Sequence, residues 1–161
     1  MSPRAGLERA QPGCAWLLLL LLLGCRTVSE LPQVDLSQPG WRVLQGQAVW
    51  KPNRDALELS GEVLWAANRD GRYLLQFLKT PIVLVEAQGD EERWQISFPA
   101  EGRTLKGSAA RLPSRQLGWL YLARALRGEK SGGDWAFFRK GEKWALGNAQ
   151  TGEMIDGYFR P

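Results

Sequence analysis

Histidine is absent from the 161 residues, and cysteine occurs only as Cys14 and Cys25. The first absence removes the side chain most used for proton transfer near neutral pH, and with it the commonest metal ligand. The two together exclude a Cys/His zinc site. Charge of one sign is also scarce, with 21 basic and 17 acidic residues giving a formal net charge of +4. Those charges are scattered, so no lysine–arginine stripe suited to phosphates forms and no nucleic-acid partner is expected. The densest basic stretch holds Arg111, Arg115, Arg124 and Arg127 and reads as the solvated face of a helix. Hydrophobic residues make up 44% of the chain and charged ones 24%, which is the composition of a folded domain. The length fits one such domain. Neither an enzyme nor a resident cofactor or metal is expected.

The N-terminus carries Arg4 and Arg9, and residues 15–23 are an unbroken apolar run. A basic start, a short apolar stretch and a small residue at its end make a secretory signal. Nine residues fall far short of the roughly 20 that a membrane-spanning helix needs. The run ends Leu22-Leu23-Gly24-Cys25, which resembles the lipobox of bacterial lipoproteins. That resemblance implies a diacylglyceryl group on the Cys25 sulfur, cleavage between Gly24 and Cys25, and an N-acyl chain on the freed amine. An ordinary secretory cut that leaves a free thiol is the alternative. Cys14 follows Gln11-Pro12-Gly13 and has no apolar run before it. Each buried methylene contributes about 0.8 kcal/mol, so two or three chains on one residue form a durable membrane anchor. Arg26 follows the cysteine without an acidic neighbour. By the same resemblance this favours the outer membrane of a two-membrane envelope. Removal of residues 1–24 takes Arg4, Glu8 and Arg9, leaving 19 basic and 16 acidic residues of the original 21 and 17. The mature chain then has no pair of thiols to oxidise, and its stability must come from packing.

Residues 25–40 contain Pro32, Pro39, Ser29 and Ser37 and read as a lipidated N-terminus and tether. Fully extended, such a stretch reaches roughly 50 Å. Residues 41–161 are expected to form one domain, acting as a monomer. Period-two alternation dominates it: Leu44, Ala48 and Trp50 share a face, and Leu57, Leu59, Val63, Trp65 and Ala67 alternate with Glu58, Ser60 and Glu62. Tyr73, Leu75 and Phe77 continue the pattern, as do Trp94, Ile96 and Phe98. Residues 82–85 are apolar on both faces, as for a strand covered on both sides. Asn68-Arg69-Asp70-Gly71, Gly89-Asp90 and Lys140-Gly141-Glu142 carry the chemistry of tight turns and imply antiparallel neighbours. A helix is expected near 113–127. Its apolar stripe holds Leu112, Trp119, Ala123 and Leu126, widened by Leu117, Leu120 and Tyr121, with Gly128 as its stop. Strands follow at 135–140, 143–148 and 153–160. The fold class is mainly β (α+β), a curved antiparallel sheet or incomplete β-barrel of about 8–9 strands covered by one helix.

Seven tryptophans remain in the mature chain: Trp41, Trp50, Trp65, Trp94, Trp119, Trp135 and Trp144. One reading is an aromatic core whose indole N–H groups find partners. The other is an apolar cleft between sheet and helix, lined by Leu59, Val63, Trp65, Phe77, Trp94, Phe98 and Trp119. Glu58, Glu62, Asp90, Glu91, Glu92, Glu101 and Glu153 are candidate carboxylates. Glu58 and Glu62 fall two pleats apart on one polar face, where a paired acid–base site and a solvated surface are both conceivable. Gly102, Gly107 and Ser131-Gly132-Gly133 lack the strand–loop–helix setting and lysine of a phosphate loop.

A lipobox, a tether, an antiparallel sheet and a covering helix together resemble the LolA/LolB-like superfamily of lipoprotein carriers and receptors. Gly61-Glu62-Val63, Phe77-Leu78-Lys79-Thr80-Pro81, Trp94-Gln95-Ile96-Ser97-Phe98 and Trp119-Leu120 before Ala125-Leu126-Arg127-Gly128 look like its strand and helix segments. The likeness spans residues 41–159. It implies an incomplete barrel that binds lipid or lipoprotein acyl chains without covalent chemistry, in lipoprotein localisation to the outer membrane. The chain departs from the family in having one good helix. Its tips at 68–71 and 131–134 are polar where the family's receptor has an apolar loop. A non-catalytic envelope scaffold with a filled aromatic core is the alternative function.

Overall fold

The computed structural model describes residues 30–112 and 117–161. The expected signal at 1–24 and the expected lipid attachment at Cys25 therefore lie outside the described residues, as does the first part of the expected helix.

Nine strands form one antiparallel sheet: β1 (Trp41–Lys51), β2 (Leu59–Asn68), β3 (Tyr73–Lys79), β4 (Ile82–Gly89), β5 (Arg93–Phe98), β6 (Arg103–Ser108), β7 (Trp135–Lys140), β8 (Lys143–Asn148) and β9 (Met154–Phe159). Their order across the sheet is β6-β5-β4-β3-β2-β1-β9-β8-β7. The C-terminal hairpin strands thus add to the far side of β1, and β6 and β7 are left as separate edges. The sheet curls without closing into a barrel. Short turns set most neighbours. Gly71 adopts φ 92° in the β2–β3 hairpin, and Asn68 N–H donates to Arg72 O at 2.8 Å. The Asp90 side chain accepts the Glu92 and Arg93 N–H groups at 2.8 and 2.7 Å, shaping the β4–β5 turn.

β1 carries the bend. It pairs with β2 along Trp41 to Trp50, but with β9 only from Gly46 onward. A Cβ on Gly46 would lie 1.8 Å from Tyr158 O, so only glycine lets the two backbones approach this closely. Residues 41–45 then have β2 on one side and no strand on the other. This leaves a notch in the curl.

The helix differs from expectation. α1 spans Gly118–Ala125, and every residue except Arg124 is buried. The sequence predicts an apolar stripe with a solvated back. Instead α1 contacts β3 and β4 on one side and β7, β8 and β9 on the other. It lies within the curve of the sheet, as an all-round apolar helix must. Gly128, at φ 88°, follows its end, and its N–H donates to Ala125 O at 2.9 Å. Trp119, Leu120, Leu122, Phe77, Leu75, Ile96, Leu146 and Ile155 form the centre of the core.

Three further expectations are corrected. Leu57 and Glu58 precede β2, and Leu57 is 87% exposed, because the chain reaches the strand only at Leu59. Residues 82–85 are not covered on both sides: Val85 is buried beneath α1, but Ile82 is exposed at the strand's end. The tether is not a free spacer along its whole length. Leu31 N–H donates to the Gln95 side chain at 3.2 Å, and Leu31, Val34 and Leu36 are half-buried. Ala66, Leu74 and Gln88 point away from α1 and pair across neighbouring strands, yet none is more than 5% exposed. Residues 30–40, running from Gln95 back to β1, are the chain available to cover that row.

Candidate functional site

Alternation places the six strand residues of the expected cleft on one face, and the structure brings them together beneath α1, where Trp119 joins them. Val63 and Trp65 come from β2, Phe77 from β3, Trp94 and Phe98 from β5, and Trp119 from α1. None of these six is more than 6% exposed, and Leu59 packs half-buried against them. The Phe77 and Trp119 rings stack with centroids 4.6 Å apart, and Trp50 meets both edge-on at 6.2 and 5.7 Å. Aromatic rings occupy the space between sheet and helix at this point. Trp65 Nε1 donates to Ala123 O at 3.3 Å and Trp94 Nε1 to Ser108 O at 2.9 Å, which fixes both indoles. The indole N–H groups of Trp119, Trp135 and Trp144 are buried with no acceptor among the described residues.

Trp65 also borders a cavity of about 620 Å³ at the notch beside β1. Its lining combines Trp41, Ala67 and Leu126 with Arg42, Arg69 and Arg127. The polar head of this site escaped the sequence reading, because Arg42, Arg69 and Arg127 are far apart in the chain. A second cavity, of about 460 Å³, opens on the outer face among Gln47, Val49, Ser60, Glu62, Asp156 and Tyr158. The Tyr158 hydroxyl donates to Gln47 Oε1 there at 3.0 Å.

The candidate carboxylates do not converge. Glu62 is exposed on the outer face and Glu58 is exposed ahead of β2. Asp90 shapes a turn, and Glu101 faces Arg103 at 3.2 Å. Glu153 alone is deeply buried, at 3% exposure, just ahead of β9. Trp50 Nε1 donates to its Oε1 at 3.1 Å, and the Gly118 N–H at the start of α1 donates to the same carboxyl. Burial pushes its pKa up to about 7, against the two hydrogen bonds, which favour the ionised form. A Cβ on Gly118 would stand 2.7 Å from Glu153 Oε1, so glycine is what lets the helix start reach it. The role this geometry supports is docking of the helix. Burial likewise raises the Tyr73 and Tyr121 phenols.

Among the described residues, no group of three or more His, Cys, Asp or Glu side chains could hold a metal ion. No described helix is long and apolar enough to cross a membrane. The chain matches no protein-family model and no curated protein.

Proposed function

We propose that this chain is a membrane-anchored envelope lipoprotein whose domain is a non-catalytic interaction module with a filled aromatic core. The observation that carries the choice is the packing beneath α1. Phe77 lies stacked on Trp119 and Trp50 closes on both, so ring carbons occupy the place where an acyl chain would enter the expected cleft. The scattered carboxylates support a module that makes and breaks no bonds. Anchoring rests on the lipobox-like Leu22-Leu23-Gly24-Cys25, with diacylglycerol and an N-acyl chain on Cys25, and Arg26 favours the outer membrane.

A second reading keeps the LolA/LolB-like expectation of lipid or lipoprotein acyl chains as cargo. It is favoured by the cavity beside Trp65, whose lining includes Trp41, Ala67 and Leu126. Uptake of a fluorescent fatty acid by the purified protein separates the two. The filled-core reading expects no saturable uptake, and saturable uptake that a bulky residue on the cavity wall, Ala67→Trp, abolishes while the fold persists would replace it with the carrier reading. Intact mass of the native product, beside a Cys25→Ala variant, tests the anchor. Acyl mass on the native chain and its loss in the variant are expected.

A further inference from the structure

The chain enters the sheet at Gly40 and Trp41, on the rim of the cavity that Trp65 borders. Arg42, Arg69 and Arg127 stand on that rim, and no acidic side chain lines it. Arg127 is partnered by Glu129 at 3.5 Å and lies over the Tyr73 ring. Arg42 and Arg69 have no ion pair or side-chain hydrogen bond among the described residues. Unpaired guanidinium groups beside an indole and a leucine suit an anionic group carried on an apolar body.

The length of the leash selects the partner. Leu31 is bound to Gln95, so the six residues from Cys25 to Leu31 reach at most about 20 Å. β2 alone, with ten residues, is about 33 Å long. Gln95 lies in the same cross-strand row as Ala66, the neighbour of Ala67 on the cavity wall. The leash therefore leaves the domain at its arginine-bearing end and is too short to let the other end, at Leu57, face a bilayer squarely.

We propose that this rim docks on an anionic lipid surface, with Arg42, Arg69 and Arg127 engaging phosphate-bearing headgroups of the bilayer that holds Cys25. The inference rests on the anchor reading above for its leash, and adds the orientation and the lipid charge. One cation close to an anionic leaflet strengthens association about fivefold, so removing Arg42 and Arg69 should weaken docking about 25-fold.

The test uses the full chain, reconstituted in vesicles of phosphatidylcholine alone or mixed with phosphatidylglycerol. A fluorophore is placed through Asn68→Cys on the rim or Leu57→Cys at the far end, and quenched by brominated lipid. Quenching confined to the rim label, strengthened by phosphatidylglycerol and lost in Arg42→Gln/Arg69→Gln, is expected. Equal quenching at both labels, or quenching of the rim label indifferent to phosphatidylglycerol or to the two substitutions, overturns the proposal. Mass spectrometry of the same material reads the anchor separately. If the Cys25 sulfur is free, the anchor reading falls. Docking is then decided by adding the vesicles to the Cys25→Ser chain carrying the same labels, with the same outcomes.

Discussion

Replacing Glu153 by glutamine should make the protein more stable at pH 8 and leave it nearly unchanged at pH 4.5. Two influences compete at this carboxyl. The N-terminus of α1 and the Trp50 indole favour a negative charge, whereas burial at 3% exposure disfavours it. Burial wins, and the folded-state pKa stands near 7 against an ordinary value of 4.5. Below pH 4.5 the group is protonated in both states and its hydrogen bonds stabilise the fold fully. As pH rises through that value the unfolded chain releases its proton first, and stability declines until the folded group also ionises near pH 7. One pKa unit is worth about 1.4 kcal/mol, so the whole decline is about 3 kcal/mol. Glutamine keeps an acceptor for Trp50 and Gly118 and never ionises. Urea unfolding followed by tryptophan fluorescence, on both proteins across pH 4.5 to 8, gives the difference, and all other titrating groups cancel in it. The variant's advantage should grow by about 3 kcal/mol over that range. A flat difference, or a variant less stable at pH 8, would mean that the ionised carboxylate helps hold α1, and the burial argument would fail.

Trp119→Ala removes the ring that stacks on Phe77 and meets Trp50, and should cost about 3–5 kcal/mol, read as a lowered urea midpoint. Gly46→Ala drives a methyl against the Tyr158 carbonyl, where only backbone movement can make room. A loss of about 1–3 kcal/mol is expected, visible as a lower thermal midpoint.

The legible parts of this fold were those in which one residue's face fixes the next. Residues 135–140 and 143–148 match β7 and β8 because two short runs rich in aromatic and apolar residues flank a glycine turn at Gly141. β6 has no such face: Arg103-Thr104-Leu105-Lys106-Gly107-Ser108 is an edge strand exposed at nearly every position, so its sequence carries no buried side to read. The depth of α1 could have been read, since residues 117–126 contain one charged side chain, Arg124, and such a helix cannot show a face to water. Glu153 was visible as a carboxylate but not as a buried one, because its partners, Trp50 and Gly118, come from far along the chain. The same holds for the rim: Arg42, Arg69 and Arg127 are neighbours only once the strand order and the helix are known.

Why the curl should leave a notch is answered by what closes the rest. An open sheet needs something to cover its inner face, and among the described residues a single short α-helix does so by touching both halves, β3–β4 and β7–β9. Eight residues of helix extend about 12 Å, well short of a long strand, so one helix cannot fill the curl from end to end. The uncovered stretch falls where β1 has lost β9 as a neighbour, at residues 41–45. Polar and apolar surfaces therefore meet at one end of the domain, which is also the end where the tether arrives. The headgroup contact proposed above is therefore placed at that rim, and the rings beneath the helix, already packed on one another, are left to hold the fold.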